Sequence, residues 1–259
     1  MNAAYTIWHK HMTKFFETKE ESFGFLIQPI LWVVLFGAGM KGMMGPAMPG
    51  GEDVYIGFFA PGIIALSALG GAIAGGSVWL DERVRGIVKE YLVAPIPRMS
   101  ILMGNAMSNV TKSMFQAIVI FVVAVLMGAR VDLNPLGWLG GLALTAGFGL
   151  GFSGIALAFA SMAPHTGAYH GMIFILNLPL LFLSNALYPL DTLPTWMEIG
   201  ARINPTTYVV DGLRQMVLED GAALAGGDVL PLWQCFLAVT IFATLGMWFG
   251  YRAFKNSVK

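Results

Sequence analysis

The sequence predicts an all-α integral membrane protein. It has six transmembrane helices, a surface helix ahead of the first, a short helix in one cytoplasmic loop and short re-entrant helices before the last span. Three observations predict this. The 259 residues are 56% apolar and 12% charged, about half the charge of a soluble domain, and the mean hydropathy is +0.69. Six stretches, 23–40, 57–80, 104–127, 136–162, 168–187 and 229–251, are apolar over roughly the 20 residues a helix needs to cross the hydrocarbon core. Six spans put both termini on one side, and the basic residues divide unequally. Lys10, Lys14, Lys19, Arg83, Arg85, Lys89, Arg98, Lys112, Arg252, Lys255 and Lys259 share the side of the termini, against Lys41, Arg130, Arg202 and Arg214 on the other. That bias places both termini in the cytoplasm. The chain reads as a single transmembrane domain over 1–259.

Residues 4–16 carry Tyr5, Trp8, Met12, Phe15 and Phe16 at spacings of three and four, with His9, Lys10, Thr13, Lys14 and Glu17 off the stripe. Aromatics opposite basic residues suit an interfacial helix in the headgroup layer; a helix packed on a neighbouring domain would share the pattern. Acidic residues Glu17, Glu20 and Glu21 precede the first apolar run, which is not the order of a cleavable signal. Pro29 is expected to interrupt the first span, and Asn177 and Pro179 to kink the fifth, because proline removes a backbone donor. Gly71 with Gly75, Gly147 with Gly151 and Gly246 with Gly250 are four apart, the spacing that lets helices approach closely in lipid. Lys112, early in the third span, is expected to snorkel to the inner surface. Cys235 is the one cysteine and reads as an apolar packing residue.

Two loops carry more information. In 81–98, Ile87, Val88, Tyr91 and Leu92 form an i, i+1, i+4, i+5 patch on a short helix, preceded by Gly86 and stopped by Pro95 and Pro97. Such a helix has no core in which to bury the patch, so either a protein partner or the membrane surface receives it. In 188–228, Pro194 opens a short helix with Thr195 and Glu198 at capping-box spacing. Asn204 and Pro205 suit the N-cap and first position of a second helix. Asp211 and Arg214 are three apart there and could pair with each other or with groups on a span. The segment reads as two short amphipathic helices dipping into the outer leaflet, or as an ordinary outer loop with helical turns.

These segments together resemble the permease subunits of type-2 ATP-binding-cassette exporters, of the drug-resistance and lipo-oligosaccharide export kind. The resemblance runs through nearly the whole chain. It rests on Ala60-Pro61-Gly62 opening the second span and on Glu82-Arg83, Gly86 and Glu90-Tyr91-Leu92-Val93-Ala94-Pro95-Ile96-Pro97-Arg98. It rests also on Asn204-Pro205 with Tyr208, Asp211 and Arg214 before the last span. It implies a permease in the cell's inner membrane that pairs as two six-span halves, a homodimer or a pseudo-symmetric heterodimer, with each half resting on a cytoplasmic ATPase subunit. Glu82, Arg83, Gly86, Glu90, Tyr91, Leu92, Pro95 and Arg98 would belong to the coupling helix and its loop. The surface helix would also touch the ATPase. Asn204, Pro205, Tyr208, Asp211 and Arg214 would form the outer, re-entrant gate. Substrate would pass between the two copies along the second and fifth spans, where Asn177, Ser184 and Asn185 are the polar residues.

The rest of the sequence fits that expectation. It has no G-x-x-x-x-G-K-[ST] loop, and the glycines from Gly70 to Gly76 lie inside an apolar span with no lysine after them. ATP and Mg are thus expected on the partner ATPase, with no cofactor on this chain, no enzyme activity of its own, membrane lipids around it and no nucleic-acid partner. A self-sufficient carrier or channel would need ionisable groups in the middle of its spans, and the sequence has no acid there. A lipid-modifying membrane enzyme would need a catalytic constellation, and the one acid pair at a span end, Asp81-Glu82, sits beside arginines. His165 and His170 are five apart with no carboxylate nearby and read as a solvated turn. The expected substrate is amphipathic or lipid-like: a drug, an antibiotic or a lipid-linked glycan.

Overall fold

The computed structural model describes residues 3–44, 54–88, 93, 96–190, 193–219 and 229–257. Its described helices are α1 (Ala3–Glu17), α2 (Lys19–Met44), α3 (Val54–Val84), α4 (Arg98–Leu126), α5 (Pro135–Met162), α6 (Thr166–Phe182), α7 (Thr195–Ile203), α8 (Pro205–Val217) and α9 (Leu232–Ser257). Among the described residues the only strand-like feature is one antiparallel bridge, Val131 with Leu218. The chain is an all-α, multi-pass membrane protein.

Among the described residues five helices are long and apolar enough to span: Lys19–Gly39, Ile56–Val84, Arg98–Leu126, Pro135–Met162 and Leu232–Asn256. The expected fifth span, 168–187, is a 17-residue helix that stops at Phe182. It covers about 26 Å at 1.5 Å per residue. Leu183 to Pro189 continue it as turns. Pro179 lies in the last turn of this helix, and Leu183 N–H bonds back to Pro179 O at 2.8 Å. Pro29 does not interrupt α2, which runs unbroken from Lys19 to Met44.

Helices in lipid gain nothing from hydrophobic transfer between themselves, so close packing and hydrogen bonds hold them. α3 forms the centre: 78% of its most apolar window is buried, against 17% for α2 and for α9. Small residues set the approaches. A Cβ at Gly250 would lie 2.5 Å from Gly154 O, and one at Gly147 would lie 2.7 Å from Val239. That close seam joins α5 to α9, as the glycine spacing predicted. A Cβ at Gly71 would meet Ser113 Oγ of α4 at 3.0 Å. Two apolar clusters result. One surrounds Phe58, Ile64, Phe148 and Val209 towards the far end, the end of α7 and α8. The other surrounds Trp79, Leu102, Tyr169 and Phe254 towards the terminal end, where α1 and the C-terminus lie. Cys235 is buried in the first, as expected.

α1 is held by the protein itself. It buries Ile7, His11, Met12 and Phe15 and donates from Trp8 Nε1 to Thr111 Oγ1 at 3.0 Å. Tyr5 and Phe16, expected on the same stripe, stay exposed. Packing on α4 thus rotates the buried face towards Ile7 and His11. Lys112 does not snorkel freely: its ammonium is 3.4 Å from Glu21 Oε1, at the start of α2, and 4.6 Å from the centre of the Phe15 ring.

Candidate functional site

Two clusters of sequence-singled residues take form, one at each end. At the terminal end, Gly86 has φ +82°, a left-handed conformation that favours glycine, and it closes α3. Two successive residues just before it point at different neighbours. Glu82 is buried and accepts from Lys10 Nζ of α1 at 2.6 Å. Arg83 donates to Ala160 O at 3.0 Å, to Ser161 O, and to Ala163 O at 2.5 Å, all at the C-terminus of α5. Neither of these expected coupling residues is turned outward. Val88, part of the expected partner patch, is also buried in the chain's own terminal-end cluster. Arg98 is exposed at the start of α4. Glu90, Tyr91, Leu92 and Pro95 lie outside the described residues. Among the described residues around the turn, Val84 (67%), Val93 (88%) and Met99 (45%) are large apolar side chains left exposed.

Sequence reasoning missed His11. It is buried beside Glu82. Burial lowers its pKa from the ordinary 6.5; Glu82 opposes this, while Lys10, Lys112 and Lys14 reinforce it. The predicted stripe left it unassigned, at the edge of the apolar face.

At the far end, α8 ties the other helices together. Asn204 caps it, accepting from Thr206 N–H at 2.9 Å, with Pro205 in the first turn as predicted. The same side chain donates from Nδ2 to Leu180 O at 3.0 Å and to Leu183 O, closing the end of α6. Tyr208 Oη donates to Arg202 O at 2.7 Å and so ties α8 to α7. Arg214 is completely buried. Its Nε and Nη2 donate to Phe58 O of α3 at 3.1 and 2.9 Å, its Nη2 also to Asn185 O at 2.7 Å, and it stacks on the Phe58 ring at 3.7 Å. Asp211 accepts from Leu230 N–H at 2.8 Å and from Gln215 at 3.1 Å. The two residues therefore do not bond to each other; each uses its charge on a different neighbour. Asp132 N–H of the α4–α5 loop donates to Val217 O at 2.9 Å and pins the last turn of α8.

Gly62 explains the Ala60-Pro61-Gly62 motif in part. A Cβ there would sit 2.5 Å from Ala186 O, so only glycine lets the turn after α6 reach α3, beside the Arg214 bonds. Ser184 and Asn185 belong to this turn. Ser184 donates to Leu181 O at 2.8 Å and accepts from Ala186 N–H at 3.3 Å, and both residues are fully buried. Only Asn177 of the three expected pathway residues lies on a partly open face of α6, among exposed Phe174, Ile175 and Leu178.

α7 and α8 differ. α8 buries nine residues, Gly212 among them. α7 exposes Trp196, Ile199 and Ile203. The expected capping box does not form: Pro194 takes the N-cap position, which puts Thr195 inside the first turn, and Glu198 pairs with Arg202 at 2.9 Å. His165 caps α6 through Nδ1, accepting from Ala168 N–H at 3.1 Å, and His170 Nε2 lies 3.4 Å from Ser77 Oγ. Among the described residues no group of three His, Cys, Asp or Glu side chains is arranged to hold a metal.

Comparison with known proteins agrees with this architecture. The family model of the ABC-2 type transporter matches residues 2–218. A putative transport permease, ycf38, from Cyanophora paradoxa is 33% identical over 196 residues, 73% of this chain and 65% of that protein. The chain thus spans just under two thirds of the length of that relative. Nodulation protein J of Rhizobium leguminosarum bv. trifolii is 30% identical over 200 residues, 75% of this chain and 73% of its own. The daunorubicin resistance ABC transporter permease protein DrrB1 of Streptomyces coeruleorubidus is 23% identical over 233 residues, covering 89% and 78%. With the match running from α1 through the whole of α8, the chain belongs to the ABC-2 type transporter family of membrane permeases.

Proposed function

We propose that this permease is the membrane half of an ATP-driven exporter, with ATP and Mg on a separate cytoplasmic ATPase. The observation that carries the reading is the surface at the terminal end. Val84, Val93 and Met99 are exposed there next to Arg85 and Arg98. An apolar patch edged by positive charge suits a protein partner better than water. The basic excess on this side supports a cytoplasmic position for it, and for both termini, in an inner-membrane protein. Two permease copies rest on two ATPase copies. The exposed apolar faces of α2, with Leu31, Trp32 and Leu35, and of α6, with Phe174, Ile175 and Leu178, meet either lipid or the second copy. The substrate is amphipathic or lipid-like and enters from the inner leaflet. Asn177 borders its path along α6. α7 and α8 form the outer gate, with α8 as its fixed part and α7 presenting its apolar face to the outer leaflet. α1 lies in the inner headgroup layer with Tyr5 and Phe16 turned to lipid.

The test is co-purification of the chain with its candidate ATPase, followed by ATP hydrolysis and daunorubicin efflux in proteoliposomes. A stable complex whose hydrolysis depends on the permease is expected. The double variant Tyr91→Ala, Leu92→Ala is expected to weaken association by the roughly 1–3 kcal/mol that each well-packed anchor contributes, with normal membrane insertion. Unchanged co-purification and unchanged hydrolysis in that variant would contradict the assigned contact. Cross-linking in native membranes that finds only single permease copies in an active complex would contradict the dimer.

A further inference from the structure

The end of α5 presents a problem that α3 solves. α5 finishes Ala160-Ser161-Met162-Ala163-Pro164, with no glycine to form a left-handed cap. Its own backbone closes one bond, Ala163 N–H to Phe159 O at 2.8 Å. Ala160, Ser161 and Ala163 are all buried, so their carbonyls need donors from elsewhere. The forked guanidinium of Arg83 supplies them, bonding all three, and its charge faces the negative end of the α5 dipole. Arg83 stands three residues before Gly86, where the 81–98 loop leaves α3. One residue earlier, Glu82 holds α1 through Lys10. Beyond α5 the path continues across the glycine seam, where the backbones of Gly151 and Gly154 touch those of Gly246 and Gly250 of α9.

We propose that Arg83 is a positioning residue that carries movement of the end of α3 into α5 and α9, by fastening that end to the end of α5. This rests on the ATP-driven reading and changes one part of it: Arg83 acts inside the permease and does not touch the ATPase. α3, α5 and α9 then move as one body. α2 and α6, which have wide exposed faces, are the elements against which that body moves. A mere cap would matter for folding alone; a fastener matters for coupling.

The experiment uses the whole permease–ATPase complex in nanodiscs. Nitroxide labels at Leu35 on α2 and Leu139 on α5, both 65% exposed and attached through introduced ketone side chains rather than thiols, report the distance between the moving body and its neighbour. With Arg83 present, ATP with vanadate is expected to shift this distance. With Arg83→Ala, ATP hydrolysis is expected to stay within about twofold of the parent while the shift disappears, and Arg83→Lys is expected to keep part of it. A flexible bis-maleimide between Arg85→Cys and Met162→Cys, both exposed, replaces the bonds covalently and is expected to restore the shift in the Arg83→Ala protein. Cys235 is buried, so the introduced thiols are the ones that react. An undiminished shift in Arg83→Ala, or loss that the cross-link does not restore, overturns the proposal. If Arg83→Ala folds poorly, the same comparison is made with Arg83→Lys. No ATP-dependent shift with Arg83 intact overturns the ATP-driven reading itself, and this proposal with it.

Discussion

Replacing Arg214 by alanine is the sharpest probe of the far end. The change removes three hydrogen bonds, to Phe58 O at 3.1 and 2.9 Å and to Asn185 O at 2.7 Å. Bonds from a charged donor contribute about 1.5–3 kcal/mol each, so the gross loss is about 4.5–9 kcal/mol. The stacking on Phe58 at 3.7 Å adds about 2 kcal/mol for a desolvated cation. Against this, the variant no longer buries a guanidinium, and that burial costs several kcal/mol. Breaking a buried charged network from one side comes to about 3–5 kcal/mol, and that is the expected destabilisation. Arg214→Lys is expected to lose roughly half of it, since one ammonium cannot span two carbonyls in the geometry of a planar fork. The assay is equilibrium unfolding in mixed micelles of rising dodecyl sulfate fraction, followed by circular dichroism. The charge exchange Asp211→Arg with Arg214→Asp is expected to recover nothing, because each side chain bonds a different neighbour. A loss under about 1 kcal/mol for Arg214→Ala, or substantial recovery by the exchange, would refute the reasoning.

Three further outcomes follow from the same geometry. Gly62→Val is expected to push the 184–187 turn off α3, given the 2.5 Å approach of a Cβ to Ala186 O. It should open Asn185→Cys to maleimide, which the parent structure buries; continued protection would contradict that. Asn204→Ala removes the cap of α8 and the donor to Leu180 O and Leu183 O together. It is expected to cost about 2–3 kcal/mol, more than the ~1 kcal/mol of a simple N-cap, in the same micelle titration. His11 has a folded pKa below its unfolded 6.5, so docking of α1 is fully supported above pH 6.5 and is lost as pH falls through the folded value. Hydrogen exchange over 3–17, corrected for intrinsic rates, should therefore accelerate on acidification, and His11→Gln should flatten the profile.

Much of this architecture was legible because it depends on length, hydropathy and local backbone chemistry. Asn204-Pro205 announced a helix start, and Gly246 with Gly250 announced a close seam. What was not legible depends on partners distant in sequence. The i, i+3 spacing of Asp211 and Arg214 suggested a local pair. It said nothing of Phe58 O, 156 residues away. Glu82 and Arg83 looked like surface charges of a cytoplasmic loop because nothing local shows that α5 ends without its own cap. His11 was assigned to neither face of a stripe whose true buried face was set by packing on α4. Thr195 and Glu198 had the right spacing for a capping box, but the helix starts one residue earlier, with Pro194 at the N-cap, and Glu198 pairs with Arg202.

The central claim, that the terminal end receives an ATPase, is tested most directly by photo-cross-linking from Val93 and Met99 in cells that make both proteins. Benzoylphenylalanine at either position is expected to give a covalent adduct with the ATPase, and at exposed Trp196 on the far end none. An adduct from Trp196 with none from Val93 or Met99 would invert the orientation, and no ATPase adduct from any of the three would contradict the account.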